Sequence, residues 1–344
     1  MESIVSLLLE YGLFLAKAIT VVVAIGAVTA WIFASIQQAR AHSGDWLEVI
    51  NLNDRFEYMA DTLRGQLLDK RERKAHAKHK KTEAKQKAKA RKLGKARTAN
   101  RLFVIDFNGD IRASAVTALR EEISAVLQVA QAEDEVLLRL ESPGGLVHSY
   151  GLAASQLRRL RARGVQLTAS VDKLAASGGY LMACVADRIV AAPFAIIGSI
   201  GVVGQLPNFN RLLKDKQVDV ELHTAGDYKR TLTMFGENTE EGRAKFRDEL
   251  EVTHGLFKEF IADNRSDVDI DKVATGEHWH GTQALGLGLI DRVGTSDDLL
   301  LTAAGEDREI FQLRWRTRGR MIDRLTGNIE TRVLGALRDR WMRW

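Results

Sequence analysis

The stretch Lys173-Leu174-Ala175-Ala176-Ser177-Gly178-Gly179-Tyr180 follows a β-rich run, Val165 to Asp172, and opens a short apolar segment, Tyr180 to Val185, that reads as a helix. A serine set between a strand and a helix sits on a sharp turn, its hydroxyl exposed at the helix N-terminus. There the free backbone N–H groups and the positive end of the helix dipole favour a developing oxyanion. The glycines permit positive φ and let a substrate backbone approach closely. Alone, Ser-Gly-Gly is a weak motif, read equally well as a serine-capped, glycine-rich helix start.

Upstream, Glu141-Ser142-Pro143-Gly144-Gly145 ends another apolar strand, Val136 to Leu140, and precedes a second helical run. Two strand–Gly-Gly–helix turns in one α/β unit can line up their N–H groups on one side of a cleft. One would carry the nucleophile and the other a share of an oxyanion hole. A serine also needs a base. Downstream, Val218 to Thr224 alternates as a strand and runs into Ala225-Gly226-Asp227-Tyr228-Lys229-Arg230, so a lysine just past a strand end can reach the same cleft. Lysine is a poor base at its ordinary pKa of about 10.4, but burial beside apolar groups disfavours the ammonium and lowers that value. Serine with a desolvated lysine is a variant of triad logic. Such a base predicts activity that rises with pH; a flat profile over about pH 6 to 9 counts against it. Lys173 is the rival base, expected to be solvated or paired with Asp172. Ser199, in Ile197-Gly198-Ser199-Ile200-Gly201, either orients the lysine amine or is a turn serine satisfying backbone; the sequence leaves both open. His148 and His223 have no sequence partners that suggest a triad and read as structural.

Five stretches carry a resemblance: Leu140-Glu-Ser-Pro-Gly-Gly145, Ala176-Ser-Gly-Gly-Tyr180, Ile197-Gly-Ser-Ile-Gly-Val202, Tyr228-Lys229 and Gly276-Glu-His-Trp279. Through them, and nearly end to end, the chain resembles the signal peptide peptidase A family of membrane-bound serine–lysine proteases. The resemblance implies Ser177 as nucleophile and Lys229, in preference to Lys173, as general base. It implies oxyanion N–H groups from Gly178 and from one of Gly144 and Gly145. It further implies a crotonase/Clp-protease-like α/β domain with no metal and no cofactor, acting on peptides or proteins. Copies would assemble into rings, so that Ser177 and Lys229 can come from different subunits. The Clp protease of that fold places its histidine about 25 residues after its serine. Position 202 here is Val202, and no histidine falls between Ser177 and His223, which favours the lysine version.

The chain of 344 residues carries a formal net charge of +5, very unevenly spread. Residues 18–36 are uncharged and, as a helix, span about 28 Å, close to one bilayer core. The apolar run is too long for a cleaved signal peptide, and Glu2 and Glu10 stand where basic residues would precede one. It reads as a retained anchor. Leu52, Phe56, Met59, Leu63 and Leu67 then recur at helical spacing. From Lys70 to Arg97, 14 of 28 residues are Lys or Arg, against Glu72 and Glu83 only. This block, without aromatics, is a solvated helix or a disordered arm able to meet anionic lipid headgroups. It lacks the interleaved aromatics or recognised fold of a nucleic-acid binder. His76 and His79 have no carboxylate or cysteine company for a metal. The charge pattern argues for a cytoplasmic catalytic domain, the resemblance for the outer face of a bacterial inner membrane; the side stays open.

The catalytic domain starts near Arg101. Leu102 to Phe107 and Ile189 to Ala192 read as strands, Ala115 to Ala130 and Tyr150 to Arg163 as helices, and Val202-Val203 and Val218 to Leu222 as further short strands. This alternation argues for a parallel sheet flanked by helices. Asn238 to Asn264 is a long amphipathic helix. His278-Trp279-His280 lacks zinc-site spacing. Cys184, the only cysteine, excludes an intramolecular disulfide and falls on the buried side of the helix after Ser177. From Arg314 on, nine arginines and the apolar positions Ile329, Val333, Leu337, Trp341 and Trp344 fit either an interfacial membrane helix or a groove on another subunit. The expected organisation is an anchor over 1–40, an amphipathic and basic linker over 41–100, a peptidase domain over 101–312 and a basic tail over 313–344. The expected activity is a membrane-anchored, oligomeric serine endopeptidase. A crotonase-type acyl-CoA enzyme and a scaffold with an inactive protease domain are the alternatives.

Overall fold

The computed structural model describes residues 45–92 and 100–317, together with Lys17 and Thr20. The expected anchor over 18–36, Thr20 apart, and the tail beyond Thr317 lie outside the described residues. Among the described residues no helix is long and apolar enough to cross a membrane. Leu47–Trp315 forms one compact unit.

Strand β1 (Trp46–Asn51) leads into helices α1 (Leu52–Leu67) and α2 (Lys70–Lys92). Then follow β2 (Arg101–Asn108), α3 (Val116–Val129), β3 (Glu135–Glu141), α4 (Val147–Ala162), β4 (Gln166–Val171), β5 (Leu174–Ala176) and α5 (Gly178–Ala183). Beyond them run β6 (Arg188–Ala191), β7 (Ile196–Gly198), α6 (Asn210–Asp215), α7 (Glu240–Asn264) and α8 (Ile270–Val273). The chain closes with β8 (His278–His280), α9 (Gly281–Gly286), β9 (Arg292–Val293), α10 (Ser296–Gly305) and β10 (Glu309–Arg316).

A seven-stranded sheet has the order β1-β10-β2-β3-β4-β6-β9, and every pair from β10 to β9 is parallel. A parallel sheet is covered on both faces, which is why β2 reads almost continuously apolar instead of alternating. Its odd positions, Phe103, Ile105 and Phe107, enter the main core with Leu119, Ile123 and Val126 of α3 and Tyr150, Ala153 and Leu157 of α4. Its even positions, Leu102 and Val104, join Leu137, Ile310, Leu300, Ala303 and Leu52 in a second core on the other face. The period of two thus builds both layers from one strand. The expected strands and helices between residues 101 and 192 all form, with ends shifted by a few residues, as does the long helix α7.

A smaller sheet, β5-β7-β8, sits where the site is built: β5 and β7 are parallel, β7 and β8 antiparallel. Ser142 bridges to Ala175 and so ties the end of β3 to this second sheet. Its N–H donates to Leu174 O (2.9 Å), and its own carbonyl accepts from Ala176 N (3.0 Å).

Two expectations are corrected. Neither Val202-Val203 nor Val218 to Leu222 forms a strand; the latter lies exposed, without a partner strand, among the described residues. Alternation is a local signal, whereas a strand needs a neighbour to receive its backbone bonds. Lys173 is exposed, one of its two expected outcomes, but its ion-pair partner is Glu141 (2.9 Å) and not Asp172, whose carboxylate instead accepts from the backbone N–H (2.8 Å) and hydroxyl (2.5 Å) of Ser296 at the start of α10. In the linker, only Leu52 of the α1 stripe is buried, Met59, Leu63 and Leu67 facing solvent. The basic block is helical over its described residues 70–92 as α2, and its Lys80 reaches Glu57 (2.8 Å) and Asp61 of α1.

Candidate active site

Ser177 occupies the cap of α5 with φ 51° and ψ −119°, a conformation that a side chain at Cβ disfavours and glycine prefers. Holding a serine there requires the surroundings to over-determine it. They do. Ser177 N–H donates to Gly198 O (2.7 Å), extending the β5–β7 ladder by one bond, and the first turn of α5 closes through Leu181 N–H to Ser177 O (3.0 Å). Every residue of α5 is buried, and Tyr180 anchors the helix by donating its hydroxyl to Leu289 O (2.9 Å). Burial pushes both the Tyr180 phenol and the Cys184 thiol up, the thiol to about 12, so neither is a nucleophile.

The Glu141–Gly145 turn comes directly against this serine. Gly144 has φ +85°, and a Cβ there would lie 2.7 Å from Gly178 N and 2.8 Å from Ser177 Cβ. The two turns touch, and only a residue without a side chain fits between them. Gly144 N–H donates to Ser142 Oγ (3.1 Å), while Gly145 is the exposed member of the pair. Gly178 is buried at the first position of α5, where an amide has no intrahelical acceptor.

Ser199 also has positive φ, 52°, and follows Gly198 in β7 as Ser177 follows Ala176 in β5, so parallel pairing sets the two serines at neighbouring positions. Its N–H donates to Glu277 O (2.6 Å), and the ring of Trp279 lies where a Cβ on Gly198 would be, 2.8 Å away. The stretch from Gly276 to Trp279 therefore supports the Ser199 turn.

A cavity of about 640 Å³ opens over these groups. Ser177, Gly178, Gly144, Gly145 and Ser199 all line it, and its apolar wall comes from Ile111, Leu181, Val202, Leu256, Phe257 and Phe260 among others. Lys229 is not part of the lining. It lies exposed in a turn closed by its own N–H to Gly226 O (3.2 Å), beside Tyr228, over whose ring Lys245 sits at 5.1 Å. Within one chain the structure thus gathers five of the six expected site residues and leaves the lysine outside. Lys173 is outside the lining as well, exposed and paired to Glu141. His148 and His223 are exposed. Among the described residues no group of three or more His, Cys, Asp or Glu side chains could hold a metal ion.

Two residues escaped the sequence reading. Ser142 is fully buried with its hydroxyl 2.6 Å from the Tyr150 hydroxyl, and Tyr150 donates onward to Asp110 O (2.7 Å). Ser142 stands inside the quoted Glu141–Gly145 motif and Tyr150 on the inner face of α4, so the signal was present as position but not as pairing.

The chain is similar to known proteins along most of its length. Residues 6–157 match the N-terminal domain of peptidase family S49, and residues 159–309 match peptidase family S49 itself. A probable protease SohB of Haemophilus influenzae is 50% identical over 338 residues, 96% of this chain and 95% of that one. A probable protease SohB of Buchnera aphidicola from Acyrthosiphon pisum is 61% identical over 229 residues, 67% of this chain and 68% of its own. Among solved structures, a membrane-bound stomatin-specific protease in complex with a substrate peptide aligns with a TM-score of 0.42 at 15% identity, covering 68% of this chain and 99% of that one.

Proposed function

The chain belongs to peptidase family S49 and is a serine-type peptidase acting on peptides or proteins, and on that premise we propose that Ser177 is its nucleophile, Lys229 its general base, and Gly178 and Gly145 its oxyanion donors. Ser177 Oγ attacks the scissile carbonyl while the neutral amine of Lys229 takes the hydroxyl proton. The carbonyl oxygen becomes an oxyanion received by the two N–H groups. Collapse of the tetrahedral species expels the amine half of the peptide, which accepts the proton from the lysine ammonium. Water then repeats the sequence on the acyl-enzyme and frees Ser177. Gly145 is preferred to Gly144 because the amide of Gly144 is already given to Ser142 Oγ. An oxyanion donor is worth about 10²–10³ in rate.

The observation that carries this reading is the strained serine at the cap of α5, opening on a large, mostly apolar cavity beside a second glycine turn. The exposed position of Lys229 is compatible with a base delivered from a neighbouring copy, since an amine is useful only where water is excluded. The working form is accordingly read as a homo-oligomer. Ser199 either steadies that incoming amine or only satisfies its own turn. The apolar run 18–36 is read as a membrane anchor, with α2 lying at lipid headgroups and the peptidase domain over 101–312, carried on by the last residues of β10 before the basic tail; signal-peptide remnants and misfolded proteins are the substrates in reach. The test is covalent labelling of the full chain by a serine-directed peptide phosphonate together with casein hydrolysis. Both should vanish in Ser177→Ala; hydrolysis surviving in that variant would overturn the assignment.

A further inference from the structure

Tyr150 is, with Tyr180, one of the two largest fully buried side chains beside the site, and it touches both turns that meet there. Its hydroxyl donates its one hydrogen to Asp110 O (2.7 Å). The 2.6 Å contact with Ser142 Oγ must then run the other way, with the serine hydroxyl donating to the phenol oxygen. Ser142 Oγ in turn accepts from Gly144 N–H (3.1 Å). The direction of all three bonds is thereby fixed: Gly144 amide to Ser142 hydroxyl to Tyr150 hydroxyl to the Asp110 carbonyl. Buried chains of this kind hold one geometry because every member is satisfied in one sense only. Burial also pushes the Tyr150 phenol up, which keeps it a neutral donor.

The ring end of the same side chain meets the other turn. A Cβ on Gly178 would come 2.4 Å from Tyr150 Cγ, so the ring lies flush against that glycine. The ring itself is held edge-on by Phe107 of β2, centroids 6.4 Å apart. The loop that accepts the phenol is tied to the glycine turn a second time, through Leu146 N–H to Ile111 O (2.8 Å). One side chain on α4 therefore fixes, at its polar end, the Pro143–Gly144 peptide plane, directly next to the peptide that carries Gly145 N–H, and meets the backbone of Gly178 along its face.

We propose that Tyr150, acting through Ser142, is a positioning residue that sets the spacing and direction of the two oxyanion N–H groups. This rests on the reading of Ser177 as nucleophile with Gly145 and Gly178 as donors. The role is felt where the carbonyl oxygen becomes an anion and is absent when substrate merely binds, because the donors must match the oxyanion and not the ground-state carbonyl.

The experiment compares Tyr150→Phe with the unaltered full chain in three measurements. These are steady-state hydrolysis of a fluorogenic peptide, inhibition by a peptide aldehyde, whose adduct with a serine carries an oxyanion, and inhibition by the matching peptide alcohol, whose complex does not. The expected result is kcat lowered about tenfold to a hundredfold with KM held within about twofold. Aldehyde affinity should fall by the same factor, and alcohol affinity should stay within about twofold. A kcat within twofold of the unaltered chain overturns the proposal. So does a loss shared equally by aldehyde and alcohol, which is what loosened packing alone would give. If Tyr150→Phe does not fold, as read from its thermal unfolding, Ser142→Ala interrupts the same chain with the loss of a single heavy atom and carries the same expectations. Phosphonate labelling lost in Ser177→Ala establishes the nucleophile separately, so a failure of the Tyr150 pattern is told apart from a failure of the peptidase reading.

Discussion

Replacing Gly144 by alanine measures how closely the two turns must approach. The added Cβ would stand 2.7 Å from Gly178 N, 2.8 Å from Ala176 O and 2.8 Å from Ser177 Cβ, with φ at +85°. Positive φ costs a residue with a side chain about 1–2 kcal/mol. Forcing a methyl into a filled site costs about 1–3 kcal/mol more. Relieving the contacts also means moving the oxyanion turn away from Ser177 by several tenths of an ångström, and a misplacement of about 1 Å at a reacting centre can cost about 10² in rate. Gly164 supplies the control, because its φ is +73° and nothing lies within 4 Å of its would-be Cβ. Gly164→Ala therefore pays strain alone, about 1–2 kcal/mol. Two assays settle the comparison: calorimetric Tm, and peptide hydrolysis well below the lower Tm. At about 2–4 °C per kcal/mol for a unit of this size, Gly164→Ala should melt roughly 2–8 °C lower with kcat intact. Gly144→Ala should melt lower still and lose about tenfold in kcat, with about 10² as the upper bound. Equal activity in the two variants would refute the claim that contact between the turns, and not backbone strain, sets the site.

Two further outcomes follow from the geometry. Lys229 stands outside the cavity of its own chain. Mixing inactive Ser177→Ala with inactive Lys229→Ala should then restore part of the activity, whereas a mixture as dead as its components would place serine and base in one subunit. Away from the serine turn in sequence, Glu122 of α3 is buried and accepts from Trp315 N–H (2.7 Å), and burial lifts its carboxyl to about 7. A raised acid binds its proton more tightly in the folded state, so its contribution is complete below about pH 4.5 and is lost as pH climbs through about 7. Glu122→Gln should leave Tm unchanged near pH 4 and raise it near pH 8, by at most about 3 kcal/mol of stability. A gain of equal size at both pH values would show that the charge plays no part.

Much of this fold is legible because its signals are local. Apolar runs bounded by Gly-Gly turns locate β3, β4 and the helices after them, and the period-two burial of β2 follows from coverage on both faces. The serine turn is equally visible, since a strand, a serine and two glycines leave few other backbone paths. What the chain does not announce is pairing at a distance. Val218 to Leu222 alternates like a strand yet has no partner strand among the described residues, so pattern and structure part there. Lys173 looks like a partner for Asp172 next to it, but both lie in the bend between β4 and β5, where Ser296 takes the Asp172 carboxylate and Glu141 takes the lysine. The hydroxyl relay through Ser142 and Tyr150 joins residues eight apart whose meeting depends on how α4 lies over β3. No periodicity encodes that.

The backbone at Ser177 has an evolutionary corollary. A position held at φ 51° and ψ −119° would be more comfortable as glycine, and its neighbour Ser199, at φ 52°, shares the discomfort. Selection for durability alone would favour glycine at such positions, because glycine takes positive φ without strain. A descendant that has abandoned hydrolysis should then betray itself by glycine in place of Ser177 before its core shows any change.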